Sequence, residues 1–319
     1  VVQYRSFRNS DPPGLAQVWN EAFTGRGAVP LRHSSPLERH AFCKPYFDPA
    51  GLIVAVEDDV CVGFAHAGFG PNNTETGLSH ASGVTCAIGV RPAYRRRGIG
   101  SELFRRCEAY LRERGARTLW AGPMPPLNPF YFGLYGGSDQ PGFLISDADA
   151  APFLEAHGYQ PADTCLVFQR RLDQALNIVD GRFPALRRQF EVRVESAMSR
   201  KSWWQECTLG PLELIEFRLV EAQTSAVAAR TEVWEMELFS WRWGLPAVGI
   251  VDLVVRDDLR RQGLGKFLLT SLLRYLQEQY FGVVEIQAME RNHAAVGLYQ
   301  RLGFNQVDVG RIYRQAAPP

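Results

Sequence analysis

Apolar residues recur along the chain with a period of two in some stretches and about 3.6 in others, and the changes of period predict the elements. Leu52 to Val56 and Val60 to Ala67 are apolar, strand-forming runs on either side of Glu57-Asp58-Asp59, which predicts a hairpin. Upstream, Asp11 to Phe23 reads as a helix capped by Asp11, with Pro12 and Pro13 in its first turn. Cys86 to Val90 then predicts a strand. A helix follows from about Ser101, with Leu103, Phe104, Cys107 and Leu111 on one face, and Thr118 to Ala121 predicts the next strand.

The same order returns in the second half. Val251 to Val255 is a strand, Leu268, Leu269, Leu272, Leu273 and Leu276 mark a helix, and Val283 to Ala288 is a strand rich in β-branched residues. Ahead of these, Leu214 to Ala222 and Ala226 to Leu238 predict two more strands, the second carrying Glu232, Glu235 and Glu237. No clear amphipathic helix precedes them, so the second copy is expected to start in abbreviated form. The 319 residues make about two domains of the usual ~100–150 residues. Arg171 to Arg188 mixes charges with Gly181 and Pro184 and lacks a strand pattern, which places the boundary near Leu172 to Gln189. The expected domains are 1–175 and 190–319.

The repeat is sharpest in one loop. Gly-Val-Arg-Pro-Ala-Tyr-Arg-Arg-Arg-Gly-Ile-Gly, ending at Gly100, reappears as Val-Val-Arg-Asp-Asp-Leu-Arg-Arg-Gln-Gly-Leu-Gly, ending at Gly265. Each copy leaves a strand, at Val90 or Val255, and opens a helix. A helix start has unpaired N–H groups and the positive end of the dipole, and glycine lets an anion approach the backbone closely. Arg95, Arg96, Arg97, Gly98 and Gly100, and again Arg260, Arg261, Gln262, Gly263 and Gly265, therefore suit an anion such as a diphosphate. No Lys-Ser or Lys-Thr pair follows the last glycine, and a third glycine at dinucleotide spacing is missing, which disfavours nucleoside triphosphates and NAD.

Composition narrows the setting. A formal net charge of +1 provides no global field for nucleic acid or an anionic membrane. The six cysteines are scattered without a CxxC pair, so neither a metal site nor a disulfide framework is expected. No apolar run is long enough to span a bilayer and the first residues lack a signal-peptide core, so a cytoplasmic protein is expected.

The two loops resemble the motif of the GCN5-related N-acetyltransferases: Arg or Gln, two residues, Gly, one residue, then Gly or Ala. In the second half the likeness extends to Asn292-His-Ala-Ala-Val-Gly-Leu-Tyr299-Gln-Arg-Leu-Gly303-Phe304, similar to that family's second signature. A weaker match lies near Phe153 to Tyr159. The tandem arrangement is similar to that of mycothiol synthases, and also to peptidyltransferases that use aminoacyl-tRNA; the intact motifs favour the former.

The resemblance implies two tandem acyl-CoA N-acyltransferase domains of mixed α/β fold, each a mostly antiparallel sheet flanked by helices. It implies acetyl-CoA as donor, no metal, and direct attack by a primary amine of a small molecule or peptide. By the 165-residue offset of the two loops, Asp252 stands where the first copy has Ala87, and the family often places an acceptor-facing acid there. Tyr299, matched by Leu154 in the first copy, takes the position of a tyrosine that protonates the leaving thiolate. Leu253 and Val255, and Val90 in the first copy, lie on the strands expected to line the donor. Asn292, matched by Asp147, would bond the pantetheine arm or cap its helix.

Tyr131, Tyr135 and His157 leave other proton donors open in the first copy. The expectation is nonetheless a first domain that binds acyl-CoA without turnover and a second that transfers; the alternatives are activity in the first domain and a non-catalytic acetyl-CoA sensor or scaffold. Neither nucleic acid nor membrane is an expected partner, and a homodimer is compatible with the sequence. The aromatic stretch Pro123 to Phe143 could wall an acceptor pocket or pack against the other domain, with packing favoured, and Trp203, Trp204, Trp234, Trp241 and Trp243 are expected to be core or interface residues.

Overall fold

The computed structural model describes residues 1–196 and 200–316. Its strands are β1 (Gln3–Ser6), β2 (Leu52–Glu57), β3 (Val60–Pro71), β4 (Leu78–Val90), β5 (Thr118–Ala121), β6 (Phe143–Leu144), β7 (Tyr159–Arg171), β8 (Phe190–Ser196), β9 (Leu214–Glu221), β10 (Val227–Glu235), β11 (Ala247–Val255), β12 (Val283–Met289) and β13 (Asn305–Gln315). The α-helices are α1 (Pro12–Ala22), α2 (Ser35–Leu37), α3 (Ile99–Glu113), α4 (Ala150–Ala156), α5 (Phe183–Gln189), α6 (Trp203–Leu209), α7 (Glu237–Trp243), α8 (Leu264–Glu278) and α9 (His293–Arg301). No helix among the described residues is long and apolar enough to cross a membrane.

The chain forms two compact units, each assembled from more than one stretch. The first joins Val1–Cys165, Arg200–Pro211 and residues 308–316; the second joins residues 166–196 with Leu212–Val307. The first unit's strands run in the order β1-β2-β3-β4-β5-β13, antiparallel except for the parallel pair β4 and β5. In the second unit the order is β7-β12-β11-β10-β9-β8, with β11 and β12 parallel. The last part of β13 thus completes the first unit's sheet, while the last part of β7 lies in the second unit beside β12. Both units are mixed α/β structures.

Local chemistry explains most elements. Asp58 and Asp59 both take positive φ, as a tight hairpin turn requires, and β2 and β3 pair from Glu57↔Val60 onward. Asp11 stands at the start of α1, but its carboxylate accepts from Arg5 and from the Arg8 backbone N–H, so it does not cap the helix with its side chain. Leu103, Phe104, Cys107 and Leu111 of α3 are fully buried. The α8 leucines, including Leu268, Leu269, Leu272 and Leu273, form the second core with Phe217, Leu219, Val233 and Ile250 of the sheet.

Three expectations change. The predicted strand Ala226 to Leu238 ends at Glu235; Glu237 instead opens α7, where Ser240 bonds the Met236 carbonyl and accepts from Ala247 N–H. The second unit also has a strand ahead of β9, β8, that its mixed charges concealed. Trp204 and Trp234 are buried as expected, whereas Trp241 is exposed.

The stretch from Gly122 to Gly142 leaves and rejoins a single strand line. Ala121 pairs with Tyr313 and Phe143 with Arg311, so β5 and β6 are consecutive along β13. A Cβ on Gly142 would stand 2.2 Å from the Arg311 carbonyl oxygen, and φ there is +86°, so only glycine lets the excursion close. Within it Phe130, Tyr131, Phe132, Leu134 and Tyr135 are all buried.

Candidate active site

Each unit has the same break in its parallel pair. In the second, β11 and β12 pair from Ala247↔Val283 to Ile250↔Ile286, and β11 continues to Val255 beyond that. In the first, β4 and β5 pair from Ser82↔Thr118 to Thr85↔Ala121, and β4 continues to Val90. Just beyond each break the strand carries an extra residue. Against β10, Val251 faces Glu232 and Val254 faces Arg230, and Asp252 within this bulge has φ +52°. Against β3, Thr85 faces Ala67 and Ala87 faces His66, with Cys86 between.

The glycine turns are close copies. Arg95 Nε donates to the Val90 carbonyl at 3.1 Å, and Arg260 Nε donates to the Val255 carbonyl at 3.3 Å. The first arginine of each motif therefore ties the turn back to its strand. Arg95 also pairs with Asp149 and Arg260 with Asp257. Arg96 and Arg261 have φ +61° and +63°, and Gly98 and Gly263, at the helix starts, have φ +78° and +93°. Such an alternation turns successive N–H groups toward one concavity.

The second glycine of each motif has a packing reason. A Cβ on Gly265 would lie 3.6 Å from Leu298 of α9 and 3.5 Å from Val255; one on Gly100 would lie 3.3 Å from Phe153 of α4. The turn is thus wedged between its strand and the following helix. Elsewhere in the motifs, Arg97 forms a two-armed pair with Glu57, and Gln262 donates to the Asp258 carbonyl. A Cβ on Gly263 would come within 2.9 Å of the Arg182 guanidinium, which pairs with Asp180, whereas one on Gly98 would meet nothing within 4 Å among the described residues. The Asp180 carboxyl, bonded first by Arg182 and also by Lys266, is held well below the usual carboxylate range.

Asp252 lies on the sheet face opposite α8 and accepts from Arg230 Nη2 at 2.9 Å. Glu232 also contacts Arg230, at 3.4 Å. Tyr299 on α9 is buried, its ring against Phe168 and Phe304. Leu253 and Val255 pack at the margin of the core. The Asn292 side chain accepts from Ala295 N–H at 3.2 Å, which makes it the N-cap of α9. Sequence reasoning missed two members of this region: Arg230, and the fully buried Glu285 of β12, which accepts from Gln169 at 2.8 Å. The signal for Arg230 was charge alternating along β10 with Glu232, and for Glu285 a lone charge in an otherwise uncharged strand, both legible only once strand neighbours are known.

The corresponding face of the first unit is filled. His66, across from Ala87, is fully buried, bonded through Nδ1 to the Tyr131 hydroxyl at 2.8 Å and stacked on Phe130 at 4.0 Å. Burial pushes its imidazole down to about 3. A Cβ on Gly68 would collide with Phe130, and one on Gly89 with Phe23. Tyr135 donates to Asp147, and His157 bonds the Phe153 carbonyl. Leu154 is buried. Burial raises the Asp147 carboxyl, opposed by the Tyr135 hydrogen bond.

Residues 15–135 and 199–304 match the family model described as Acetyltransferase (GNAT) family. The chain belongs to this family. Mycothiol acetyltransferase of Salinispora arenicola is 26% identical over 322 aligned positions, covering 92% of this chain and 91% of that protein. The ribosomal protein bS18-alanine N-acetyltransferase of Escherichia coli (strain K12) is 34% identical over 64 residues, 20% of this chain. That match spans 43% of the relative's length. Among solved structures, a tandem GNAT protein from the clavulanic acid biosynthesis pathway has a TM-score of 0.68 at 17% identity, over 100% of this chain and 99% of that one. A GCN5-related N-acetyltransferase from Sphaerobacter thermophilus has a TM-score of 0.63 at 17% identity, over 100% and 96%. These structural likenesses are of fold.

Proposed function

We propose that the protein is an acetyl-CoA-dependent N-acetyltransferase that acts on a primary amine of a small molecule or peptide, with transfer confined to the second unit. The observation that carries this reading is the contrast at the two bulges. In the second unit a carboxylate and an arginine occupy the face opposite α8; in the first, the matching position is Ala87 beneath a packed aromatic insertion. An amine acceptor needs a group that draws its proton and space to approach the thioester. Among the described residues, the second unit supplies a part-exposed carboxylate, Asp252, at the position where the first has the buried Ala87.

In this mechanism the diphosphate of the donor rests on the Gly263 to Gly265 turn and its pantetheine arm runs between the parted ends of β11 and β12, past Leu253 and Val255. Asp252 takes the ammonium proton, directly or through water, and the free amine attacks the thioester carbonyl. The tetrahedral intermediate collapses with cleavage of the C–S bond; Tyr299 gives its proton to the departing thiolate, the nitrogen sheds its extra proton to water as the amide forms, and water returns a proton to the Tyr299 phenolate. The products are the amide and free coenzyme A. The first unit, with an open Gly98 turn and a filled face, binds the donor without turnover. Similarity to mycothiol acetyltransferase over nearly the whole chain supports a small-molecule acceptor.

Separate Gly98→Val and Gly263→Val substitutions test the assignment by thiol release from acetyl-CoA with a panel of amines. Gly263→Val is expected to abolish release and Gly98→Val to leave most of it, each variant losing one of two donor-binding events in calorimetry. Undiminished release by Gly263→Val overturns the assignment. Donor binding without release for any amine favours a sensor.

A further inference from the structure

The segment ahead of α5 reaches back over the second unit's glycine turn. Phe183 and Leu186 anchor it, both buried in the core, with the Phe183 ring 5.3 Å from that of Phe267 in α8. The residues just before this anchor are thereby held at the turn. The Arg182 guanidinium stands against Gly263, where a Cβ would lie 2.9, 3.1 and 3.2 Å from its Cζ, Nη1 and Nε. Lys266, in the first turn of α8, donates to the Val179 carbonyl and to the Asp180 carboxylate of the same segment, each at 3.2 Å. Its ammonium is 5.7 Å from the centre of the Phe183 ring. One carboxylate thus serves two cations, because Asp180 also accepts from Arg182 Nη2 at 2.7 Å, from Nε at 2.9 Å and from the Arg182 backbone N–H at 3.1 Å.

Asp180 is 10% exposed in this position, whereas Arg182 keeps 53% of its side-chain surface and so stays open to a second partner. A single negative charge against two positive ones leaves the cluster cationic, beside backbone N–H groups that the turn directs into one concavity. Guanidinium and ammonium groups bind phosphate with the same donors that hold a carboxylate. The cluster is not needed to form the turn, since the first unit builds its copy without one. A Cβ on Gly98 would meet nothing within 4 Å among the described residues, and by the 165-residue offset Ser101 stands where the second unit has Lys266. The two cations are therefore an addition to one turn, in the unit that carries Asp252.

We infer that Arg182 is a phosphate-binding residue of the second unit's donor site, acting with Lys266, and that Asp180 is an internal anion that the donor's phosphate displaces. This rests on the transferase reading above. Coenzyme A carries both a diphosphate and a 3′-phosphate, and either offers the oxygens that would replace the carboxylate. The buried Phe183 keeps the segment seated while the partners exchange, so Arg182 changes its anion without leaving the turn.

Calorimetry with coenzyme A in the Gly98→Val protein, which keeps the second turn as its donor site, provides the test. At low ionic strength Arg182→Gln is expected to raise Kd about tenfold, the scale of one lost charge-assisted contact. Asp180→Asn should lower Kd severalfold, because the amide keeps the bond to the Arg182 N–H and no longer competes as an anion. Both effects should shrink at high salt. 3′-Dephospho-coenzyme A separates the two phosphates: a loss in Arg182→Gln with both ligands assigns the arginine to the diphosphate, and a loss with coenzyme A alone assigns it to the 3′-phosphate. Melting temperatures confirm that the variants are folded; should Gly98→Val not fold, the KM for acetyl-CoA in thiol release gives the same comparison with Gly98 intact. An unchanged Kd in folded Arg182→Gln, or an affinity in Asp180→Asn no higher than the parent's, overturns the inference and leaves the transferase reading standing. Failure of the folded Gly98→Val protein to bind coenzyme A overturns the second-unit assignment as well.

Discussion

Ending the chain after Val307 is expected to unfold the first unit, although the cut is made in the second half of the sequence. Residues 308–315 form the strand that covers β5 and β6, through pairs such as Ala121↔Tyr313 and Phe143↔Arg311. The strand buries Ile312 and Tyr313, at 7% and 2% exposure, and burying such a side chain contributes about 1.5–3 kcal/mol. Each backbone hydrogen bond adds a net ~0.5–1.5 kcal/mol. Polar ties go too: Asp308 accepts from Ser146, Gln315 bonds Arg112 and Glu108, and Ala316 N–H bonds the Gly158 carbonyl. The sum is at least about 5 kcal/mol, the scale of a whole domain's ~5–15 kcal/mol stability. Hydrogen exchange read by peptide provides the assay. Peptides from β3, β4 and α3 should lose protection in the truncated protein, while those from β10, β11 and α8 keep it. Full protection in β3 and β4 after truncation would refute the reasoning.

Acid should weaken the first unit through buried histidines. Burial lowers His66 to about 3 and, with the nearby Lys44 charge, lowers His40 to about 4, against an ordinary value near 6.5. The unfolded chain binds protons there that the folded one refuses. Their contribution is complete above pH ~6.5 and is lost as pH falls toward about 4, by about 1.4 kcal/mol per pH unit for each group. Urea midpoints between pH 7 and 5 check this, and His66→Gln should reduce the slope; equal slopes would contradict the assignment. Asn292→Ala removes the α9 cap and should cost about 1 kcal/mol in denaturant unfolding, with Asn292→Ser recovering most of it; no loss would mean that the cap is not needed.

Much was settled by the residues alone, where the cause is local. The glycine turns were legible because Gly98 and Gly263 sit at positive φ, a conformation that side chains resist, and because the arginines beside them recur at the same spacing. The apolar spacing of Leu103 to Leu111 and Leu268 to Leu276 determined α3 and α8 and the faces they bury. Asn292 carried both possibilities in its sequence context, and the fold shows the cap. Glu237 shows the opposite limit: strand spacing ran on past Glu235, but the hydrogen bonds that turn the chain into α7 come from Ser240 and Ala247.

Tertiary structure alone decided the rest. That 308–316 serves the first unit and 166–171 the second depends on which distant strand offers an unpaired edge, and hydrophobic alternation reads the same beside any partner. Arg230 meets Asp252 only because a bulge turns that carboxylate toward β10. The aromatic stretch could be read as buried from its composition, but not that it covers the face beside His66, since one chain segment does not carry the shape of the surface it meets. Sequence determines what is decided within a turn or two of chain; pairing between remote strands decides which chemical groups share a site.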